Sequence, residues 1–175
     1  MVSTRMPICY IYHSESGHTR TVAERCAAAL GGDLIEVKDL NHYNRFTRYL
    51  VGSFRARLER QDPIEPKTID VSGYDTIVIG SPIWAGKPTP AIDSAIKALQ
   101  GAEGRKGVVY VTCGSTPGIG LELLKRWALA RGVDVRETYA ITEREIQQEE
   151  KVSGLIDLIR RVSSVPAPVS TASAS

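Results

Sequence analysis

The sequence predicts an α/β fold in which five parallel strands are covered by helices on both faces; right-handed crossovers leave a few strand orders, of which 2-1-3-4-5 suits five strands. Three observations predict it. Short apolar runs alternate with amphipathic stretches along the chain, the pattern of strand–helix–strand units joined by right-handed crossovers. Two of those runs, Thr76–Ile79 and Gly107–Thr112, are almost continuously apolar, as strands buried on both faces should be. Loops rich in Gly, Ser, Thr and Pro follow the first, third and fourth runs, and in such sheets ligands gather at the carboxyl ends of the strands.

In chain order, the first strand is Ile8–Tyr12, and Val22, Cys26 and Leu30 repeat every four residues as a helix stripe. Leu34–Val37 is the second strand. Phe46, Leu50, Phe54 and Leu58 then mark a helix over about 45–60, with Arg45, Arg48 and Arg55 opposite its stripe. That basic face reads first as a solvated one, and second as a docking face for an acidic partner or a cofactor 2′-phosphate. Thr76–Ile79 follows, then a helix carrying Ile92, Ile96 and Leu99. After Gly107–Thr112 come a helix with Leu123, Leu124, Trp127 and Ala128, and a fifth strand over Val133–Ala140. The last helix runs from about Glu143 to Val162 and buries Ile146, Leu155, Ile159 and Val162. One domain therefore spans residues 6–162, and the Ser/Ala/Pro/Val-rich residues 163–175 form a disordered tail.

Composition excludes several classes. The 175 residues suit a single core, and the formal charge of +2 comes without a basic stripe, so no nucleic-acid partner is expected. No stretch reaches transmembrane length and no apolar signal region precedes Ile8, which sets a cytoplasmic expectation without membrane insertion. Three widely spaced cysteines offer neither a disulfide framework nor a metal pattern. Cys9 and Cys26 fall on core-facing positions.

The first loop, His13-Ser14-Glu15-Ser16-Gly17-His18-Thr19, places hydroxyls and a glycine between a strand end and a helix start. Free N–H groups and partial positive charge at a helix amino end suit a phosphate. Neither a Walker loop nor a Gly-x-Gly-x-x-Gly turn is present. An ordinary capping turn is the alternative. In the second loop, Gly80-Ser81-Pro82-Ile83-Trp84-Ala85-Gly86-Lys87-Pro88-Thr89-Pro90, glycine and proline impose a fixed path with Trp84 at its centre. Trp84 either stacks on a planar ligand or folds inward as loop core. Thr89 is positioned to cap the next helix, with Pro90 at its first position. In the third loop, Cys113-Gly114-Ser115-Thr116-Pro117-Gly118, small residues let backbone amides approach a ligand, and Cys113 reads as packing rather than a redox thiol.

The first loop resembles the FMN-phosphate loop of flavodoxins, Ser/Thr-x-Thr/Ser-Gly-Asn-Thr after an aromatic-ended strand. Ser14, Ser16, Gly17 and Thr19 match; His18 stands where the family usually has Asn. Tyr74-Asp75-Thr76-Ile77-Val78-Ile79-Gly80-Ser81-Pro82-Ile83-Trp84 is similar to the second flavin loop of the same proteins. The resemblance covers about Ile8 to Val162. It implies a flavodoxin-like three-layer sandwich of the short-chain type holding noncovalent FMN. Ser14–Thr19 (Glu15 and His18 included) would surround the phosphate, Ser81, Pro82, Ile83, Trp84, Ala85 and Gly86 one side of the flavin, and Cys113, Gly114, Ser115 and Gly118 its polar edge. Many flavodoxins add a second stacking aromatic from the third loop. None stands here, which implies a more open flavin face.

Three functions follow as expectations. A one-electron carrier would dock a redox protein partner. An FMN-dependent reductase would pass a hydride from NAD(P)H to a quinone-type acceptor, which the open face and mildly basic charge favour, whereas the short size and the absence of a recognisable nicotinamide motif favour the carrier. A flavin-free interaction module of the same fold is the third. The basic balance, against acidic electron-shuttling flavodoxins, implies a less negative potential.

Overall fold

The computed structural model describes residues 7–40 and 63–164. Five parallel strands build the main sheet: β1 (Ile8–Tyr12), β2 (Asp33–Glu36), β3 (Thr76–Trp84), β4 (Lys106–Cys113) and β5 (Asp134–Thr142). Their order across the sheet is β2-β1-β3-β4-β5, as the sequence predicts. Tyr12 pairs with Glu36 on one side and Gly80 on the other, and Pro82 pairs with Thr112, so the ends of β1, β3 and β4 lie side by side. The winding reverses between β1 and β3.

Strand alternation divides the core into two. Cys9, Ile11, Ile77, Ile79, Val109 and Val111 face one layer, where Ile92 and Ile96 of α2 (Pro90–Lys97) and Leu124 and Ala128 of α3 (Gly120–Ala130) pack. Ile8, Tyr10, Val78, Val108 and Tyr110 face the other, against Val22 and Cys26 of α1 (His18–Leu30) and Leu155 and Ile159 of the last helix. Interior strand β4 is buried along its whole length, whereas edge strand β2 leaves Leu34 exposed. Burying each large aliphatic side chain of this kind contributes about 1.5–3 kcal/mol. Burial raises the Cys9 and Cys26 thiols to about 12, which agrees with their core-facing positions.

The structure departs from the sequence reading in four places. Strand β3 continues five residues past Ile79, to Trp84, and turns back through Lys87–Pro88 as a hairpin. Leu99 lies in a short strand, Leu99–Gln100, paired with Ile69–Asp70, instead of the helix stripe. Its burial at the end of α2 mimics helical spacing. The segment after β5 is two helices, α4 (Glu143–Ile146) and α5 (Glu149–Ser164). Thr142 starts α4 with a reciprocal capping box to Glu145. A second short pair, Lys38–Asp39 with Ile64–Glu65, had no signal in the sequence. The Arg-bearing stretch 45–60, His42 and residues 165–175 lie outside the described residues. Among the described residues no helix is long and apolar enough to cross a membrane.

Candidate functional site

The first loop opens at Gly17, whose φ of 91° is left-handed backbone that a side chain would strain. This turn sets α1 running away from the end of β1. The Thr21 N–H donates to the Gly17 carbonyl at 2.9 Å, and the Arg20 N–H donates to Ser14 Oγ at 3.2 Å. The amides of Ser16, Gly17, His18 and Thr19 stand ahead of the first helical bond, where a helix has no partner for them. No acidic residue of α1 itself lies in its first turn to offset the positive end of its dipole. Ser16 is exposed, with its hydroxyl 3.0 Å from His18 Nδ1. His18 also lies 3.4 Å from Glu143 Oε1, which ties the loop to the segment after β5.

Thr19 is placed differently from its neighbours. It is buried, and its hydroxyl is 2.8 Å from that of Thr112 at the end of β4. The Tyr110 hydroxyl donates to the Thr19 carbonyl at 3.0 Å. These bonds pin the start of α1 onto β4, so Thr19 anchors the loop and its hydroxyl is already engaged. Tyr110 also explains Gly80: a Cβ there would lie 2.3 Å from the Tyr110 ring. Neither Tyr110 nor Thr112 stood out in the sequence reading. The available signal was a polar or aromatic residue inside an otherwise aliphatic buried strand.

The second loop is a β-hairpin. Ala85 (φ 48°) and Gly86 (φ 79°) form its turn, in the positive-φ pattern that suits the twist of a two-residue hairpin. Ser81 is fully buried, and its hydroxyl accepts from the Thr89 N–H at 3.1 Å while donating to the Pro82 carbonyl at 2.9 Å. Ser81 thus closes the hairpin base. Thr89 does occupy the cap position of α2 with Pro90 first in the helix, but its side chain makes no capping bond. Its hydroxyl lies 3.5 Å from Ser81 Oγ instead. Pro82, Ile83 and Trp84 are half-buried, and Ala85 at the tip is exposed.

His13 joins the first two loops. It is buried, with Nδ1 donating to the Val37 carbonyl at 2.8 Å and its backbone N–H donating to the Gly80 carbonyl at 3.3 Å. Its Nε2 sits 3.4 Å from Glu15 Oε1 without hydrogen-bond geometry. The Trp84 ring meets the imidazole edge-on, with centroids 6.1 Å apart and planes at 80°.

The third loop leans on the hairpin. A Cβ at Gly118 would lie 3.2 Å from Gly86 Cα, and one at Gly120 would strike Ile83 Cδ1 at 2.3 Å. Gly114, Ser115, Thr116 and Gly118 are exposed, and nothing lies within 4 Å of a Cβ built at Gly114. Cys113 is buried, its Sγ 3.9 Å from the Ile141 carbonyl, and burial, then Glu145 and Glu143, push its thiol up. It is a packing residue. Among the described residues no cluster of three or more His, Cys, Asp or Glu could hold a metal.

Three loops thus meet at the carboxyl ends of β1, β3 and β4, beside the point where the winding reverses. The family model for flavodoxin matches residues 7–126. The chain belongs to the flavodoxin family. No curated protein matches this flavodoxin-family chain. Among solved structures, the flavoprotein of Lactobacillus acidophilus in complex with FMN is similar at 22% identity and TM-score 0.67, covering 83% of this chain and 99% of that one. A candidate flavoprotein from Bacteroides eggerthii gives 24% identity and TM-score 0.69 over 88% and 98%. A flavodoxin from the domain Archaea gives 15% identity and TM-score 0.55 over 90% and 99%. At these identities the likeness shows the fold.

Proposed function

We propose that this chain binds FMN noncovalently and transfers electrons through it. The observation that carries the reading is the convergence of an open helix amino end, a half-buried tryptophan and an exposed small-residue loop at one sheet edge. The residues present suit the group. Amides of Ser16–Thr19, with the Ser16 hydroxyl, offer the phosphate a set of donors at the positive end of α1. Trp84 offers the isoalloxazine an aromatic surface worth about 0.5–1.5 kcal/mol beyond area burial. Gly114 and Ser115 are exposed, with nothing within 4 Å of a Cβ built at Gly114, and their backbone groups suit its polar edge. When bound, FMN itself supplies the redox chemistry, and the chain sets its orientation and solvent access. The FMN held by the similar Lactobacillus acidophilus protein supports the assignment.

Roles differ within the loops. Ser14 and Ser81 accept from backbone N–H groups and Thr19 bonds the Thr112 hydroxyl, so they shape the site; Ser16 and residues 114–116 are exposed and Trp84 is half-buried, which leaves these groups to a ligand. A second reading, an NAD(P)H-dependent reductase of a quinone-type acceptor, is favoured by the third loop, whose exposed residues include no aromatic to cover a second flavin face. Stepwise reductive titration of the FMN-loaded protein separates the two. One-electron steps with slow NAD(P)H oxidation mark a carrier that docks a redox protein; a single two-electron step with rapid NAD(P)H oxidation marks the reductase. Protein that folds but retains no flavin after FMN addition and desalting refutes both.

A further inference from the structure

We infer that His13 is the positioning residue of this site, a fixed strut that sets the plane of Trp84. The inference rests on the FMN reading for its consequence, but its geometry stands in the protein alone. His13 is held at two points, one on each side of β1: its Nδ1 on the Val37 carbonyl at 2.8 Å and its backbone N–H on the Gly80 carbonyl at 3.3 Å, while its Nε2 lies 3.4 Å from Glu15 without a hydrogen bond. At 4% exposure it has no room to change rotamer. A carbonyl only accepts, so Nδ1 carries its proton and the ring orientation is defined.

Trp84 sits half-buried beside the turn of the hairpin, where its backbone pairs with Lys87, and the side-chain bond that closes the hairpin lies at its base, from the Thr89 N–H to Ser81. Among the described residues, the ring contact of Trp84 is the edge-on one with His13, at 6.1 Å and 80°. Such a contact favours one ring plane over others. A flavin that stacks on Trp84 then meets a surface already oriented, and affinity is gained by removing the ordering cost. His13 also neighbours Ser14 and faces Glu15, so its ring joins the flavin-stacking residue to the loop that would hold the phosphate.

The test uses the full chain in a Trp127→Phe background, leaving Trp84 as the single tryptophan. His13→Ala and His13→Gln remove the ring, the second keeping a donor for Val37; His13→Phe keeps the ring edge. Near-UV circular dichroism of the flavin-free proteins reads Trp84 directly. The expected result is a strong Trp84 band that is lost in the Ala and Gln variants and partly kept in the Phe variant. Affinities for FMN and riboflavin should both fall about 3–10-fold in the Ala and Gln variants, by the same factor, with partial rescue by Phe. An unchanged Trp84 band in a folded His13→Gln protein overturns the inference. So does a loss confined to FMN, which would make His13 part of the phosphate loop only. Failure of the parent protein to bind either flavin refutes the FMN reading instead, and the Trp84 band alone then decides the role of His13.

Discussion

The first and second loops follow strands that lie next to each other, yet they use their polar groups in opposite ways. Residues 14–19 end a strand by starting a helix, and leave a row of amides and the Ser16 hydroxyl at the surface. The stretch 80–89 stays in strand form, folds back on itself, and turns the Ser81 hydroxyl inward to close its own base. The first is open because a helix amino end cannot satisfy its own donors. The second is closed because a hairpin can. A serine in one loop is therefore available to a ligand, and a serine in the other is part of the scaffold.

The largest effect that would sharpen this contrast is at Trp84, the hairpin's one large aromatic. Trp84→Ala should weaken FMN binding at least about tenfold, measured by fluorescence titration, while leaving the fold in place. Next comes the serine pair. Ser81→Ala leaves the buried Thr89 amide without its acceptor and should cost about 1–3 kcal/mol in urea unfolding, with FMN affinity of the folded protein kept. Ser16→Ala should do the reverse, lowering FMN affinity with stability within about 0.5 kcal/mol of wild type. If both substitutions act alike, the contrast between the loops fails.

Thr19→Val probes the exception within the first loop. It removes the partner of the buried Thr112 hydroxyl and should cost about 1–3 kcal/mol of stability, whatever it does to FMN. A weaker, pH-dependent effect is expected where the loop meets α4. The Thr142 amide, then Lys151, holds the Glu145 carboxyl below its ordinary 4.5. A depressed folded-state value stabilises above the unfolded one and is lost as pH falls through it. Glu145→Gln should thus lower the thermal midpoint at neutral pH, and the difference should vanish in acid. The smallest effect is at the hairpin tip, where Ala85 adopts a left-handed φ that Asn tolerates better. Ala85→Asn should raise stability by a few tenths to about 1 kcal/mol in the same urea assay.

These differences also explain what was legible in the sequence. A parallel sheet covered on both faces could be read because burial on two faces leaves continuous apolar runs, as in Val108–Val111, and helices leave stripes, as in Val22 and Cys26; its strand order followed from crossover handedness and the flavodoxin resemblance. The first loop was legible because Gly17 sits where the chain must turn into a helix. The hairpin was not, since Gly80, Pro82 and Gly86 read equally well as loop, and the pairing of Ile83 with Pro88 is visible only in three dimensions. Leu99 was misplaced because one buried residue after a helix keeps helical spacing by chance. Tyr110 and Thr112 interrupt an aliphatic strand, but their partners, like that of His13, lie 24 to 93 positions away, and no local pattern encodes those contacts.

The central claim is that the three loops form one FMN site. Chemical-shift mapping of isotope-labelled protein during FMN addition tests it most directly. The account predicts large shifts at the amides of Ser16–Thr19, at Gly114 and Ser115, and at the Trp84 indole N–H, all with one saturation curve. Shifts confined to the first loop, or clustered away from the ends of β1, β3 and β4, would contradict it.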